Sequence, residues 1–246
     1  MKVYRGKKKV NIKYLMLRIK KKIIPSKFNS KDFCQILKIK GIKIGNGTYF
    51  FGPTSTVVDT QRPSLIEIGK YCKITANVTI LAHDYSRSVI RLKYGEILGE
   101  AKKTIIKDNV FIGINSIILP GAQIGNNVII GAGSVVSGKI PDNSVAAGNP
   151  ARVIRTLDEY YTRRKSKYIQ EAKDYARYLS ENGVLPTIEN MGEFFPIYLP
   201  RSLENLNKYN INTKLNGDNE KDIINKFINT QPVYNSFSEF IKDCNL

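Results

Sequence analysis

The hydrophobic positions in the middle of this chain repeat with a period of six. From residue 106 an aliphatic side chain returns at every sixth position, and a mostly small or β-branched side chain follows each one four positions later. The aliphatic positions are Ile106, Ile112, Ile118, Ile124, Ile130 and Val136, and the second set is Val110, Ser116, Ala122, Val128, Ser134 and Ile140. Neither an α-helix, with a period of 3.6, nor a long strand, with a period of 2, produces this spacing. The pattern predicts short strands joined by corners, three to each triangular turn, with both sets of positions pointing inward.

The same register extends upstream and is interrupted in two places. It is present at Ile68, Ile74 and Ile80. Ile80 and Ile106 are 26 residues apart, which is not a multiple of six, so we expect residues 83–104 to leave the prism as a loop at one corner. Residues 57–66 also lack the pattern, because the arginine and proline among them cannot serve as core positions. A smaller bulge is expected there.

The segment that follows the repeat has a helical pattern. Thr156 and Glu159 have the spacing of a capping box, and the long amphipathic run after them ends at Asn182 and Gly183, a typical C-terminal helix stop. Two shorter helices are expected near 220–229 and 236–243. The chain therefore divides into a basic arm (1–39), a β-helix of about five coils (40–155) and a helical C-terminal extension (156–246), which we expect to pack against the prism.

The positive charge of the chain is concentrated in the N-terminal arm. The formal net charge is +18, and residues 1–27 contain eleven Lys or Arg and no acidic residue. Apolar side chains recur there at helical spacing, at Ile12, Leu15, Met16, Ile19, Ile23 and Ile24. Two interpretations have equal weight. The helix lies on an anionic membrane surface, or its apolar stripe packs on the protein itself. Nucleic acid is not expected as a partner, because no recognised binding module accompanies the charge.

The remaining composition indicates a cytoplasmic protein, with the inner face of the membrane as a further location if the arm binds lipid. The three cysteines are widely spaced and lack a CxxC pair, which favours reduced thiols over a disulfide framework. No run approaches the roughly 20 apolar residues that span a bilayer, and no signal-peptide pattern opens the chain.

His83 is the only histidine of the chain, and it lies where the predicted loop leaves the prism. Imidazole exchanges protons near neutral pH, so it can remove the proton of an attacking hydroxyl and return it to a leaving group. Asp84 follows directly; it either orients His83 or binds an acceptor, or it merely begins the loop. Tyr85 and Arg87 lie on the same loop and are candidates for contact with a substrate.

The stretches ILAHDYSRSVI and VFIGINSIILPGAQIGNNVIIGAGSVVSGKIPDNSVAAGNPARVIR resemble the hexapeptide-repeat acyltransferases, in particular those that acetylate bacterial sugars, capsule and O-antigen polysaccharides. The resemblance covers roughly residues 40–155. It implies a left-handed parallel β-helix, a homotrimer, acetyl-CoA bound between subunits, and His83 as the base that deprotonates a sugar hydroxyl. The left hand comes from the resemblance alone.

The resemblance also implies a donor site, matched by motif position. The backbone N–H groups of Gly113 and Ile114 would bind the thioester carbonyl, and Ala132 would line the pantetheine groove. Nearer the nucleotide end, the matched positions are Ser137, Gly138, Arg152 and Arg155. Guanidinium groups suit phosphate oxygens because they donate in pairs.

Alternatives remain open at this point. The acceptor could be the amine of an amino sugar, since an amine also needs a base. A non-catalytic β-helix that serves as a scaffold or binding module is an alternative of another class. A zinc enzyme on the same prism, like the β-helical carbonic anhydrases, needs three histidines, and this chain has one. No metal is therefore expected.

Overall fold

The computed structural model describes residues 11–209, 211 and 219–246. Its contacts separate two compact units, one that ends at Leu157 and one that comprises Asp158–Leu246. Among the described residues, no helix is both long enough and apolar enough to cross a bilayer.

Three sheets of short strands form the body of the first unit. The first sheet contains β1 (Lys43–Ile44), β4 (Ile66–Ile68), β7 (Thr104–Ile106), β10 (Gln123–Ile124) and β13 (Lys139–Ile140). The second contains β2 (Tyr49–Phe50), β5 (Lys73–Ile74), β8 (Val110–Ile112), β11 (Val128–Ile130), β14 (Ser144–Gly148) and β15 (Ala151–Thr156). The third contains β3 (Val57–Val58), β6 (Thr79–Ile80), β9 (Ile117–Ile118) and β12 (Val135–Val136).

The strand order makes this unit a parallel β-helix. Strands β1, β2 and β3 lie in three different sheets, and β4 then pairs in parallel with β1 one turn later. Among the described strands, four complete turns are followed by a partial fifth, formed by β13 and β14, and β15 closes the second sheet as an antiparallel strand. The three parallel sheets and the hexad spacing fit the left-handed β-helix implied by the resemblance.

The two inward sets of the hexad pattern form the core of the prism. All twelve of these side chains are buried, which confirms the predicted orientation. One detail differs from strict periodicity. Ile140 pairs with Ile124 in the first sheet and takes the place of the next aliphatic residue, four positions after Val136. The last turn is therefore shorter than the ones before it.

The longer interruption is a 20-residue excursion. Ile106 pairs with Ile68, 38 residues earlier, whereas Ile124 pairs with Ile106, 18 residues earlier. The extra chain contains a helix that the sequence pattern did not predict, α3 (Arg87–Tyr94). At its return, Thr104 Oγ1 donates a hydrogen bond of 2.6 Å to the Leu81 carbonyl, which fixes the base of the loop.

The bulge expected at 57–66 involves fewer residues than predicted. Val58 is buried in β3 and pairs with Ile80, so the prism continues through the first part of that range. The excursion is limited to 59–65 and ends in a 3-10 turn, Pro63–Leu65. Strand β4 begins directly after this turn.

Two helices precede the first strand, where the sequence pattern predicted only one. They are α1 (Ile12–Ile23) and α2 (Ser30–Lys40). Helix α2 packs on the first turn of the prism. The rings of Phe33 and Phe50 meet edge to face with centroids 5.0 Å apart, and Ser30 Oγ accepts a hydrogen bond of 2.9 Å from the Phe50 N–H. Leu37 is buried in the same core, so α2 covers the apolar end that a solenoid would otherwise expose.

A ladder of asparagines stabilises one corner of the prism. Asn109, Asn127 and Asn143 occupy equivalent positions in successive turns, and all have a left-handed backbone. Asn127 accepts a hydrogen bond of 2.9 Å from Asn109 Nδ2 and donates one of 2.9 Å to Asn143 Oδ1. Asparagine suits this corner because it tolerates positive φ and its amide can both donate and accept.

We expect Asn127→Ala to lower the free energy of unfolding by roughly 1–3 kcal/mol, because alanine loses both amide bonds and is strained at φ 54°. Asn127→Gly removes the bonds without the strain, so its melting temperature, measured by calorimetry, should lie between those of wild type and Asn127→Ala. Equal losses in the two variants would contradict a contribution from backbone strain.

The second unit is helical. Its helices are α4 (Leu157–Glu181), α5 (Leu203–Lys208), α6 (Glu220–Ile228) and α7 (Phe237–Asp243), with a 3-10 segment at Gly192–Ile197. Helices α6 and α7 lie where the sequence pattern placed them, whereas α5 was not predicted. Aromatic side chains dominate its separate core, in which the Tyr198 ring centroid lies 4.8 Å from that of Phe237 and 5.0 Å from that of Phe240.

Candidate active site

A histidine and an aspartate meet where two neighbouring strands of the third sheet end. Strands β3 and β6 pair in parallel, so the residues that follow them lie side by side. Asp59 comes directly after β3, and its N–H donates to the Ile80 carbonyl at 2.9 Å. His83 comes three residues after β6, where the long loop begins. Its Nδ1 lies 2.5 Å from Asp59 Oδ2.

Asp59 is held as a carboxylate by its surroundings. Its side chain is only 4% exposed, and this burial by itself raises the pKa of the carboxyl group. Hydrogen bonds from the Gln61 N–H, from the His83 ring and from the Ala82 N–H act in the opposite direction and outweigh burial. The net effect is a pKa below the ordinary value, so Asp59 is ionised at neutral pH.

The ionised Asp59 determines which nitrogen of His83 is free. A carboxylate can only accept hydrogen bonds, so Nδ1 must carry the proton of the neutral ring. The lone pair is then on Nε2. The contact of Nδ1 with Asp59 orients the ring, and the His83 side chain remains 16% exposed. The arrangement is that of a general base positioned by a carboxylate.

Asp84 has a different partner. Its Oδ1 accepts hydrogen bonds from the Ser86 N–H at 2.9 Å and from Ser86 Oγ at 2.7 Å, in an exposed turn that leads into α3. The interpretation that Asp84 orients His83 is not supported, because Asp59 occupies that position. Asp84 lies where the loop begins, and its contact with an acceptor stays a prediction.

Tyr85 and Arg87 lie on the exposed side of the loop directly after His83. Arg87 donates a hydrogen bond of 2.6 Å to the Asp84 carbonyl, and its guanidinium lies 5.5 Å from the centre of the Tyr85 ring. Arg91 donates to the Tyr85 hydroxyl at 3.0 Å. The loop thus presents an exposed aromatic ring with two guanidinium groups close to it at the start of α3.

The structure brings Gly113 and Ala132 together on adjacent turns. A Cβ atom on Gly113 would lie 2.5 Å from the Ala132 nitrogen, so only glycine fits here. The N–H of Gly113 donates to the Ile130 carbonyl at 2.8 Å. The expectation that this N–H binds a thioester carbonyl is therefore not supported, because the sheet already uses it. Ile114 remains as the candidate donor of the pair.

The other expected donor-site residues lie further along the prism. Ser137 and Gly138 follow β12 at the same corner of the prism at which His83 follows β6. Because β12 and β6 are two strands apart in the sheet, Ser137 and His83 are separated by about 10 Å along the prism axis. Gly138 has φ +82°, which favours glycine. Arg152 and Arg155 lie on β15. The Arg155 Nε is buried and has no hydrogen-bond partner in the part of the chain that the structure describes.

The outward face of the third sheet lies between two corners of the prism. Its outward positions form one register column: Val57, Thr79, Ile117 and Val135. Val57 and Ile117 are exposed apolar side chains. Gly113, Ile114 and Ala132 lie at the corner that leads into this sheet, and Asp59, His83 and Ser137 at the corner that leaves it.

Comparison with known proteins identifies the family of this chain. A family model described as bacterial transferase hexapeptide (six repeats) matches residues 103–138. Protein CapG of Staphylococcus aureus is 40% identical to this chain over 142 residues, which cover 58% of the chain and 78% of CapG. The chain belongs to the hexapeptide-repeat acyltransferases. It is therefore an enzyme, and the scaffold alternative is set aside.

Other matches differ in how much of their own length they cover. The galactoside O-acetyltransferase of Lactococcus lactis subsp. lactis is 38% identical over 120 residues, which cover 49% of this chain and 55% of that enzyme. This chain thus spans about half of it. A solved hexapeptide-repeat acetyltransferase from Vibrio cholerae, complexed with acetyl coenzyme A, is 22% identical over 59% of this chain and 86% of its own, with a TM-score of 0.43.

In this hexapeptide-repeat acyltransferase, Asp59 is the site residue that sequence analysis missed. The signal was present but weak. Val58 is an inward position one turn before Ile80, so Asp59 has to emerge on the corner that carries His83. Treating residues 57–66 as a bulge hid that register. Among the described residues, no group of three or more His, Cys, Asp or Glu side chains is placed to hold a metal ion.

Proposed function

We propose that this acyltransferase transfers an acetyl group from acetyl-CoA to a hydroxyl of a sugar in a bacterial surface polysaccharide or its precursor. The observation that carries the proposal is the Asp59–His83 pair, with Nδ1 tied to the carboxylate and Nε2 left to act as a base. Thioester-to-oxygen transfer needs such a base, because an alcohol must lose its proton while it attacks.

In the proposed reaction, His83 takes up one proton and later returns it, and Asp59 stabilises the charged ring in between. His83 Nε2 takes the proton of the acceptor hydroxyl as the oxygen forms its bond to the thioester carbonyl carbon. The C–S bond then breaks, and His83 returns the same proton to the departing thiolate. Asp59 stabilises the imidazolium between these steps, because its negative charge lies 2.5 Å from Nδ1. The Ile114 N–H lies at the other corner of the third sheet, so as the proposed donor to the carbonyl oxygen it would come from a neighbouring subunit.

Several features of the chain suit a donor with a long pantetheine arm and phosphates. Ala132 is exposed and small, so an extended arm can lie against the backbone there. The Arg155 Nε, which has no hydrogen-bond partner among the described residues, offers a donor to an anion, and Arg152 on the same strand supplies a second cation. Ser137 and Gly138 are exposed at a corner of the prism, and in sequence they lie between His83 and the two arginines.

The choice of a sugar hydroxyl comes from the relatives and from the loop. The galactoside O-acetyltransferase is named for O-acetylation of a sugar, and CapG is also similar over most of its length. The exposed Tyr85 ring offers apolar contact to a pyranose, and Arg87 and Arg91 beside it offer cations for an acidic substituent.

A homotrimer is part of the proposal. The outward column of the third sheet exposes Val57 and Ile117 between the two corners of the site. An apolar strip beside a substrate groove is stabilised when a neighbouring copy covers it. A second subunit would then form the other wall of the donor groove.

The test measures release of free CoA thiol from acetyl-CoA by the full chain, with surface oligosaccharides as acceptors. We expect turnover that depends on the acceptor, and an acetylated product that mild alkali cleaves, as an ester requires. An alkali-stable product would instead indicate an amide and an amino-sugar acceptor. If acetyl-CoA gives no turnover and does not raise the melting temperature, the proposed donor is wrong.

A further inference from the structure

Helix α1 packs on its own unit through its less apolar side. On that side, Leu17 is buried, and Lys20 Nζ lies 2.6 Å from Asp32 Oδ2 on α2. Lys21 Nζ lies over the rings of Phe28 and Phe33, 5.6 Å and 5.5 Å from their centroids. Lys40 Nζ of α2 also lies over the Tyr14 ring, 4.9 Å from its centroid. A buried leucine, an ion pair and these cation–π contacts attach α1 to the body of the first unit.

The opposite side of α1 is an exposed apolar stripe. Ile12, Met16, Ile19 and Ile23 are spaced by four, three and four residues, which places them in one row along the helix. Ile12 is 70% exposed, Met16 65% and Ile23 69%. An amphipathic helix of a globular protein normally turns this stripe inward, and here it faces outward. The interpretation that the stripe packs on the protein itself is therefore not supported.

The charges around the stripe are all positive. Helix α1 contains Lys13, Arg18, Lys20, Lys21 and Lys22 and no acidic residue. At about 100° per residue, Lys22 lies beside the stripe on the side away from Lys20. Arg18 lies further round the helix on the same side, with its guanidinium 5.8 Å from the centre of the Tyr14 ring. The ten residues before the helix add five more Lys or Arg in sequence. A surface that covers the stripe therefore meets net positive charge, even with Lys20 paired to Asp32.

We propose that α1 docks on an anionic lipid surface. The stripe would enter the boundary between headgroups and acyl chains, while Arg18 and Lys22 contact lipid phosphates. A second copy of this chain fits the same face poorly, because two helices without an acidic residue would repel each other. A lipid surface needs no matched side-chain packing and supplies phosphate all around the helix. This inference does not depend on the proposed reaction.

The test is co-sedimentation of the full chain with vesicles of phosphatidylcholine, with and without phosphatidylglycerol. We expect binding to the vesicles that contain phosphatidylglycerol, at least tenfold weaker binding to phosphatidylcholine alone, and weaker binding at high salt. Each Lys or Arg near an anionic surface contributes roughly a fivefold gain in affinity. Equal binding to both kinds of vesicle, or no binding to either, would overturn the proposal.

Two variants and a control locate the effect. The triple change Ile12→Ser, Met16→Ser and Ile23→Ser should reduce vesicle binding at least tenfold and leave the melting temperature unchanged, since these side chains are exposed. The reversal Arg18→Glu with Lys22→Glu should reduce binding similarly without touching the stripe. Leu185→Ser is the matched control, because Leu185 is 81% exposed in the second unit and should leave binding unchanged.

Two further readouts separate this proposal from other outcomes. Acetyl transfer to a water-soluble acceptor should be the same in the triple variant and in wild type, so loss of lipid binding is distinguishable from loss of the reaction. If the triple variant instead lowers the oligomeric state in sedimentation velocity, the stripe joins copies of this chain and the lipid proposal is wrong.

Discussion

His83→Ala lowers kcat for acetyl transfer by about 10³-fold, the middle of the range that a general base contributes. The loss follows from geometry. His83 is the only imidazole of the chain, and its Nε2 is the nitrogen left free by the contact of Nδ1 with Asp59. Without this base the hydroxyl must attack while it still carries its proton. The measurement is the initial rate of thiol release under saturating acetyl-CoA and acceptor.

His83→Asn is the matched variant, because its amide can keep a hydrogen bond to Asp59 but cannot take a proton near neutral pH. It should be as inactive as His83→Ala while preserving the rise in melting temperature on addition of acetyl-CoA. Activity within threefold of wild type in either variant would remove His83 from the proposed mechanism.

Asp59→Asn lowers kcat on the order of 10²-fold and changes the KM for acetyl-CoA little. An amide in place of the carboxylate removes the negative charge that stabilises the imidazolium, and its NH₂ can donate to Nδ1 and favour the wrong tautomer. Asp59 acts through His83, so it is a positioning residue. Asp84→Asn is the matched control one residue from His83, and it should retain kcat at saturating acceptor, since Asp84 bonds to Ser86 instead.

A second readout distinguishes Asp59 from a merely structural residue. Its folded pKa is depressed, so its contribution to stability is present above the unfolded pKa of about 3.9 and is lost as pH falls through the folded value. The melting temperature of wild type should therefore fall more steeply below about pH 4 than that of Asp59→Asn. The other carboxylates are common to both proteins and do not affect the difference. Parallel curves together with unchanged kcat would contradict the role given to Asp59.

The sequence by itself determined the prism. The inward positions from Ile106 to Val136 follow from a period of six, because each turn must place an apolar side chain inside and a small one beside it at every face. The break between Ile80 and Ile106 located the loop in the same way, and with it the place of His83. These features are local and repetitive, so a linear pattern contains them.

Only the tertiary structure decided which residues meet across turns. Asp59 and His83 are 24 positions apart, and their contact depends on the parallel pairing of β3 with β6, which an irregular stretch of sequence had concealed. The role assigned to the Gly113 N–H was not supported for a similar reason, because this N–H donates to the Ile130 carbonyl of the next turn. Which residues become neighbours on successive turns depends on how many residues leave the prism between them. The hexad pattern does not give that number.

The N-terminal helix shows the same division. The sequence identified its apolar and basic positions. These positions were compatible with an apolar stripe that faces the protein and with one that faces away from it. The ion pair of Lys20 with Asp32 and the burial of Leu17 fix the rotation of α1, and the rotation leaves Ile12, Met16 and Ile23 exposed. A periodicity defines the two faces of a helix, whereas contacts with the rest of the protein decide which face remains free.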